Sequence, residues 1–303
     1  MKRELGQYFT TTNPFELKPF TEWLGSFECD KYLEPFAGAN NIPLMLNLDF
    51  DCYDIEPKEN PYKEVIERDT ILNMPEGYKC AITNPPYLSR VSASTRHLPY
   101  PDTIYPDLYL LCIEKMLEKC DYVAAIIPET FILSGYFRKR LSSVISLTCK
   151  MFEDTDCPVC LAMFDPQESE DFKVYRLNDY LGTFNELQKF NLTKTSNWKF
   201  NVPDGPIGLI CVDNTKEDSI RFCRGEEVNG AIKVSSRAFS RISGYEIDDI
   251  DRFINKCNEI LAEYREKTND VFMASFKGLR KDGKYRRRLD FKTANAIMTK
   301  ARG

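Results

Sequence analysis

Apolar and polar positions in the first half of the chain follow two periods. Short β-branched or aromatic runs at Lys31–Leu33, Phe50–Asp54, Lys79–Thr83, Tyr122–Ile127, Val144–Cys149 and Val159–Phe164 read as buried strands. Between them, Tyr109–Lys119 carries Leu110, Ile113 and Leu117 at helical spacing. Strands alternating with helices predict a mainly parallel sheet covered by helices: a doubly wound α/β domain with ligands at the carboxyl ends of its strands. The pattern changes at the acidic stretch Asp165–Phe172, which reads as the domain boundary. Beyond it, short strands are expected around Ile207–Val212 and Ile232–Val234, and then one long helix. Ser243 and Glu246 form a capping box for that helix, and Ile247, Ile250, Ile254, Cys257, Leu261 and Tyr264 line one face as a packing surface.

Composition narrows the picture. A chain of 303 residues, 43% hydrophobic and 13% aromatic, holds a large domain and a smaller one and buries a real core, which excludes general disorder. No run reaches the roughly 18 apolar residues of a membrane span. Met1-Lys2-Arg3-Glu4-Leu5-Gly6-Gln7 has no apolar signal core, so a soluble, cytoplasmic protein without a membrane partner is expected. The eleven cysteines are odd in number and scattered; Cys80, Cys112, Cys149 and Cys211 lie in apolar runs and read as small buried residues kept reduced. Cys157-Pro158-Val159-Cys160 has no second pair at metal spacing and the chain has a single histidine, His97, so no metal is expected.

A net charge of −5 argues against a polyanionic partner until its distribution is considered. Of the 41 Lys/Arg and 46 Asp/Glu, ten and two respectively lie from Met273 to Gly303, leaving 31 bases against 44 acids before it. An acidic body with a basic end is the asymmetry of a protein that docks nucleic acid on one face.

The most informative residues are Asn84-Pro85-Pro86-Tyr87, directly after the apolar run Cys80-Ala81-Ile82-Thr83. Two prolines remove two backbone donors and hold the chain extended, so carbonyl oxygens face outward. On its own, Pro-Pro reads foremost as a rigid turn that caps a strand. The flanking residues add chemistry. An aryl-amine nitrogen is a poor nucleophile because its lone pair is delocalised into the ring. Two acceptors on its N–H bonds, the Asn84 side-chain oxygen and the Pro85 carbonyl, would localise that lone pair. Tyr87 would stack on a base turned out of a duplex. No covalent nucleophile is required.

This loop resembles the catalytic signature of amino-methyltransferases, and residues 1–165 resemble the gamma-class DNA adenine-N6 methyltransferases. The resemblance rests on Gly6-Gln7-Tyr8-Phe9-Thr10-Thr11, Leu33-Glu34-Pro35-Phe36-Ala37-Gly38-Ala39-Asn40, Tyr53-Asp54-Ile55-Glu56-Pro57, Arg68-Asp69-Thr70, Asp107-Leu108-Tyr109 and Ile126-Ile127-Pro128-Glu129-Thr130-Phe131, in family order. It implies a class I S-adenosylmethionine-dependent methyltransferase, Rossmann-like with a mainly parallel sheet, over residues 1–168. A smaller recognition region over 169–303 would follow. The implied cofactor residues are Thr10, Thr11, Glu34, Phe36, Gly38, Asp54, Ile55, Asp69 and Asn84, and the implied catalytic ones are Asn84, Pro85 and Tyr87. Gly38 would let the backbone approach the methionine part. Asp54 would accept from both ribose hydroxyls, Asp69 from the cofactor's adenine amine, and Thr10 would meet the methionine carboxylate. Relatives often carry Gly-x-Gly where this chain has Gly38-Ala39-Asn40; asparagine also tolerates left-handed backbone angles.

Tyr87, with Phe152 on the other face, is the implied pair around the target base; Phe152 reads equally as core. Double-stranded DNA is the implied partner, together with a cognate restriction endonuclease on a separate chain. The run Lys277, Arg280, Lys281, Lys284, Arg286, Arg287 and Arg288 reads as phosphate-contacting, against the alternative of a solvated face. The polar segment Ser89–Pro106, with His97, reads as a mobile loop near the site. Alternatives from other classes are cytosine-N4 methylation, protein glutamine-N5 methylation and a non-catalytic DNA-binding module. Cytosine-C5 chemistry is disfavoured because it needs a Pro-Cys nucleophile, whereas this chain has Cys157-Pro158.

Overall fold

The computed structural model describes residues 10–57, 63–153, 155–228 and 236–303. Gly6 to Phe9 of the N-terminal motif and the expected strand at Ile232–Val234 lie outside the described residues. The chain divides into two compact units, Met1–Phe184 and Asn185–Gly303. Among the described residues, no helix is long and apolar enough to cross a membrane.

The first unit opens with α1 (Lys18–Leu24), β1 (Tyr32–Glu34), α2 (Asn41–Leu46), β2 (Phe50–Asp54), β3 (Val65–Glu67) and β4 (Cys80–Thr83). It continues with α3 (Arg90–Thr95), α4 (Leu108–Lys119), β5 (Tyr122–Pro128), β6 (Leu141–Ser146), β7 (Val159–Phe164), β8 (Lys173–Arg176) and β9 (Asp179–Thr183). All nine strands form one sheet in the order β3-β2-β1-β4-β5-β7-β6-β8-β9. The first five run parallel, and β7 is antiparallel to both β5 and β6. β1, β4 and β7 are buried at every position, which is why they read as continuous apolar runs. The winding order of these parallel strands reverses between β1 and β4, the switch point at which such sheets leave a crevice.

The acidic stretch 165–172, where composition places the boundary, is the turn between β7 and β8. The sheet continues for two more strands because β8 pairs parallel to β6 and β9 folds back on β8. Half-buried strands such as these carry only part of the apolar signal that marks the central ones.

α5 (Phe184–Gln188) spans the division between the units. The second unit has β10 (Lys199–Phe200), β11 (Ile207–Ile210), β12 (Arg221–Arg224), β13 (Phe239–Ser243), α6 (Ile250–Thr268), β14 (Ala274–Leu279), β15 (Tyr285–Arg288) and α7 (Phe291–Arg302). Four of its strands form an antiparallel sheet, β10-β13-β11-β12, and β14 and β15 form a hairpin. The expected capping box is not formed: Ser243 ends β13, and α6 is capped instead by Asp249, whose side chain accepts from the Arg252 N–H. The carboxylate that sits one turn before the buried stripe wins over the one with the motif spacing. Ile254, Cys257, Leu261 and Tyr264 face inward as expected, joined by Phe253 and Ile260.

Candidate active site

The carboxyl ends of β1, β2, β3 and β4 surround one cavity of about 200 Å³. Each strand delivers its last residues to the wall: Glu34 through Ala39 except Pro35 after β1, Asp54 and Ile55 after β2, Asp69 to Ile71 after β3, and Asn84, Pro86 and Leu88 after β4.

The loop after β1 is shaped by two left-handed residues. Gly38 has φ 51°, and its N–H donates to Asp54 Oδ2 at 2.8 Å. Asn40 has φ 64° and occupies the second left-handed position, which asparagine tolerates better than most residues. Asn41 then opens α2, and its side-chain amide donates to the Thr10 carbonyl at 2.7 Å. Thr10 also bridges to Phe152, and the Thr11 N–H donates to the Met151 carbonyl at 3.0 Å. Thr10 is thereby fixed against the loop that leads from β1 into α2.

Three carboxyl groups have separate environments. Glu34 is buried, and burial pushes its carboxyl up to about 8. The Thr83 hydroxyl and the Phe36 N–H, both donating to Oε1, partly offset that shift, and the Asp54 carboxylate adds to it. Asp54 accepts one backbone N–H on each oxygen, from Gly38 and from Glu56 at 2.9 Å. Each carboxylate oxygen has two acceptor sites, so the pair keeps capacity toward the cavity it lines. Asp69 Oδ1 accepts from the N–H groups of Ile71 and Leu72, both at 3.1 Å, a local turn that sets Ile71 into the wall.

In the loop after β4, Asn84 and Pro86 line the cavity and Pro85 is buried behind them. The Tyr87 hydroxyl lies 2.6 Å from both Asn84 Oδ1 and the Ile126 carbonyl oxygen. A hydroxyl has one proton, so it donates to one of these oxygens at a time. The Tyr87 ring stands edge-on to Phe152 at 6.1 Å and to Tyr109 at 6.4 Å. Phe152 is 1% exposed and belongs to the core cluster. Phe152 packs behind Tyr87 and does not line the cavity.

Thr10, Glu34, Phe36, Gly38, Asp54, Ile55, Asp69 and Asn84 are thus brought together on one cavity, while Thr11 is exposed and directed at Met151. Sequence reasoning missed the apolar part of the wall, formed by Ile42, Ile71, Leu88, Pro99 and Leu108. Leu108 begins the helix opened by Asp107, a visible signal to which no role was attached. Pro99 comes from the polar segment 89–106, expected as a mobile loop near the site. Its ends are tied by the Ser89–Asp107 bridge and the Arg90 N–H to Pro106 carbonyl bond at 2.8 Å. Ser89 caps α3 within it. His97 is exposed, with φ 55°, away from the cavity lining.

The donor set fits an amino-acid nucleoside. A buried hydroxyl, Thr10 Oγ1, has no hydrogen-bond partner among the described residues although Thr10 lines the cavity. An unpaired buried polar atom of this kind is costly unless a ligand satisfies it.

The strand order, with its reversal at β1 and β4 and the antiparallel β7, together with the cavity at the strand ends, gives a doubly wound, Rossmann-like α/β fold as expected. No protein-family model matches the chain, and no curated protein matches its sequence. Among solved structures, it is similar to a type I restriction-modification methyltransferase subunit from Streptococcus thermophilus, at 12% identity and a TM-score of 0.40, over 56% of this chain and 47% of that one. It is similar to a modification subunit of a putative type I restriction enzyme from Vibrio vulnificus, at 13% identity and a TM-score of 0.41, over 56% and 47%. A putative RNA methyltransferase from Pyrococcus horikoshii aligns at 20% identity and a TM-score of 0.39, over 55% and 90%. The chain spans about half the length of the two restriction-system subunits.

Proposed function

We infer that this chain is an S-adenosylmethionine-dependent DNA methyltransferase acting on an exocyclic amino group, adenine N6 above all. The observation that carries the reading is that the Asn84-Pro85-Pro86-Tyr87 loop follows β4 and places Asn84 and Pro86 on the wall of the cavity lined by Thr10, Glu34 and Asp54. Bound there, S-adenosylmethionine supplies the methyl group as an electrophile. Thr10, Glu34 and the loop at Gly38 would hold its methionine part, Asp54 its ribose, and Asp69 its adenine. Ile55 and Phe36 supply apolar surface beside them.

Asn84 Oδ1 and the Pro85 carbonyl would accept the two N–H bonds of the target amine and draw its lone pair toward the methyl group. Tyr87 holds Asn84 Oδ1 within hydrogen-bond distance when no target is present, so the side chain is oriented before the base arrives. The product ammonium is acidic and loses its proton without a dedicated base. A base inside a duplex cannot reach this loop, so the reaction requires flipping, with the Tyr87 ring as the stacking platform. The excess of base in the last 31 residues supports a DNA partner over a protein glutamine. A restriction endonuclease on a separate chain is the partner this reading implies.

The test is incubation with duplex DNA and methyl-labelled cofactor, followed by nucleoside analysis. Label in N6-methyladenine is the expected result. Label in N4-methylcytosine would move the target to cytosine, and label confined to protein would overturn the DNA reading.

A further inference from the structure

The β14–β15 hairpin carries the densest basic run in the chain, and its charges divide into two groups. The arginines turn inward. Arg280 is 4% exposed although it sits at the turn, and its guanidinium pairs with Asp213, Asp218 and Asp282. Arg287 is also buried, with its N–H on Asp213 Oδ2 and its guanidinium on the Ser275 hydroxyl. Arg286 donates to the Asp213 carbonyl at 2.7 Å and lies over the Phe276 ring at 4.9 Å. Arg288 is half-buried, bridged to Val212.

Asp213 is the anchor of this group. It is fully buried, accepts both arms of Arg265 at 3.0 and 2.9 Å, and takes the N–H groups of Ser219 and Ile220. Burial opposes its charge, and Arg265 with these N–H groups outweighs that, holding the carboxyl below its ordinary value. The hairpin is further tied to the sheet by the Leu289 N–H on the Cys211 carbonyl and the Lys281 N–H on the Thr215 carbonyl.

The lysines turn outward. Lys277, Lys281 and Lys284 are exposed, and none forms an ion pair among the described residues. The one acid beside them, Asp282, is held by Arg280. What remains on the hairpin is three exposed lysines without an ion-pair partner among the described residues, Lys284 being close enough to Asp282 to help hold its carboxyl low, on a ribbon fixed at its root and its turn.

We propose that this hairpin is a phosphate-gripping ribbon for duplex DNA and that Lys277, Lys281 and Lys284 make its contacts. The proposal rests on the DNA reading above and replaces a uniformly basic run with three named contacts. A two-stranded ribbon fits a B-DNA major groove, about 12 Å wide. Lysine ammonium groups are flexible, strongly hydrated point charges suited to phosphate oxygens that lie at no fixed angle. Each phosphate contact releases condensed counterions, which gives the interaction a definite salt signature.

The experiment is a salt titration of binding to a labelled random duplex, comparing the wild-type chain with the combined variant Lys277→Gln, Lys281→Gln and Lys284→Gln. The slope of log affinity against log salt should shrink by about 0.9 for each lost contact, or about 2.7 in all. Replacing the same three positions with arginine should restore the slope, which separates charge from folding. Cofactor affinity should be the same in all three proteins. A glutamine variant that keeps the wild-type slope overturns the hairpin assignment even where the wild-type chain methylates DNA. A wild-type chain that binds cofactor and leaves DNA unmethylated overturns the functional reading, and the slope comparison then decides the hairpin separately.

Discussion

The Asn84–Tyr87 loop and the Lys277–Arg288 run are the two segments whose chemistry is plainest along the chain, and folding treats them in opposite ways. In the loop, adjacent residues stay together on one site: Asn84 and Pro86 reach the cavity wall and Tyr87 holds Asn84. In the basic run, neighbours part, with Arg280 buried and Lys281 exposed. The reason is that the loop's geometry comes from its own prolines and the end of one strand, a local constraint. The fate of each charge in the run depends on Asp213, which lies 67 residues from Arg280. A rigid motif carries its arrangement with it, whereas a charge run acquires one only from its surroundings.

The largest effect should come from removing that distant partner. Asp213→Asn removes the fully buried carboxylate shared by Arg265 and Arg280, which keep Asp218 and Asp270 or Asp282, so the cost should approach but not exceed the roughly 3–5 kcal/mol of breaking a buried ion pair outright. Urea unfolding should show a destabilised second unit with cofactor affinity unchanged. A loss below about 1 kcal/mol would mean the arginines are not organised by Asp213, and the contrast with the loop would weaken.

Next in size is the loop itself. Asn84→Ala should lower turnover at least about a hundredfold, as loss of one transition-state acceptor does. Binding of DNA and cofactor should persist. Single-turnover methylation at a near-normal rate would show that the loop is only a turn capping β4.

Asp54→Ala should weaken cofactor binding at least about tenfold, since charge-assisted bonds contribute about 1.5–3 kcal/mol each. The same change also frees the Gly38 and Glu56 N–H groups, so calorimetry should be paired with a melting curve. Unchanged affinity in a folded variant would remove Asp54 from the site.

The most graded effect, small at any one pH step, is one of pH. Glu34, with its carboxyl pushed up to about 8 by burial, binds a proton in the native state that the unfolded chain releases above the ordinary range near 4.5. The native state therefore binds more protons between these values, and its stability must fall as pH rises from about 4.5 to about 8. The slope contributed is at most about 1.4 kcal/mol per pH unit. Glu34→Gln should flatten the melting temperature across that window in the cofactor-free protein. An identical pH profile in both proteins would show that Glu34 is ionised throughout.

The strands and the loop after β4 were legible in the sequence to the extent that their determinants are local. Fully buried strands such as β4 and β7 need uninterrupted apolar residues, and that requirement is written in order along the chain. Gly38 and Asn40 likewise announce the left-handed turn they make. Less legible were β8 and β9, whose half-exposed faces relax the pattern, and the Asp249 cap, where two spacings competed and packing of α6 chose between them. Pro99 gave no signal at all, because its place on the cavity wall follows from the bonds that close segment 89–107.

By itself, then, the sequence determined the alternating α/β pattern, the Asn-Pro-Pro-Tyr loop at the end of β4 and the basic character of the final segment. Only the tertiary structure decided that Phe152 is core behind Tyr87, that Thr10 is held beside Glu34 and Asp54, and that the arginines of the hairpin serve Asp213 while its lysines face solvent. Period and propensity act over a few residues, whereas burial of a charge is settled by partners far away along the chain, which meet it only when the fold is complete.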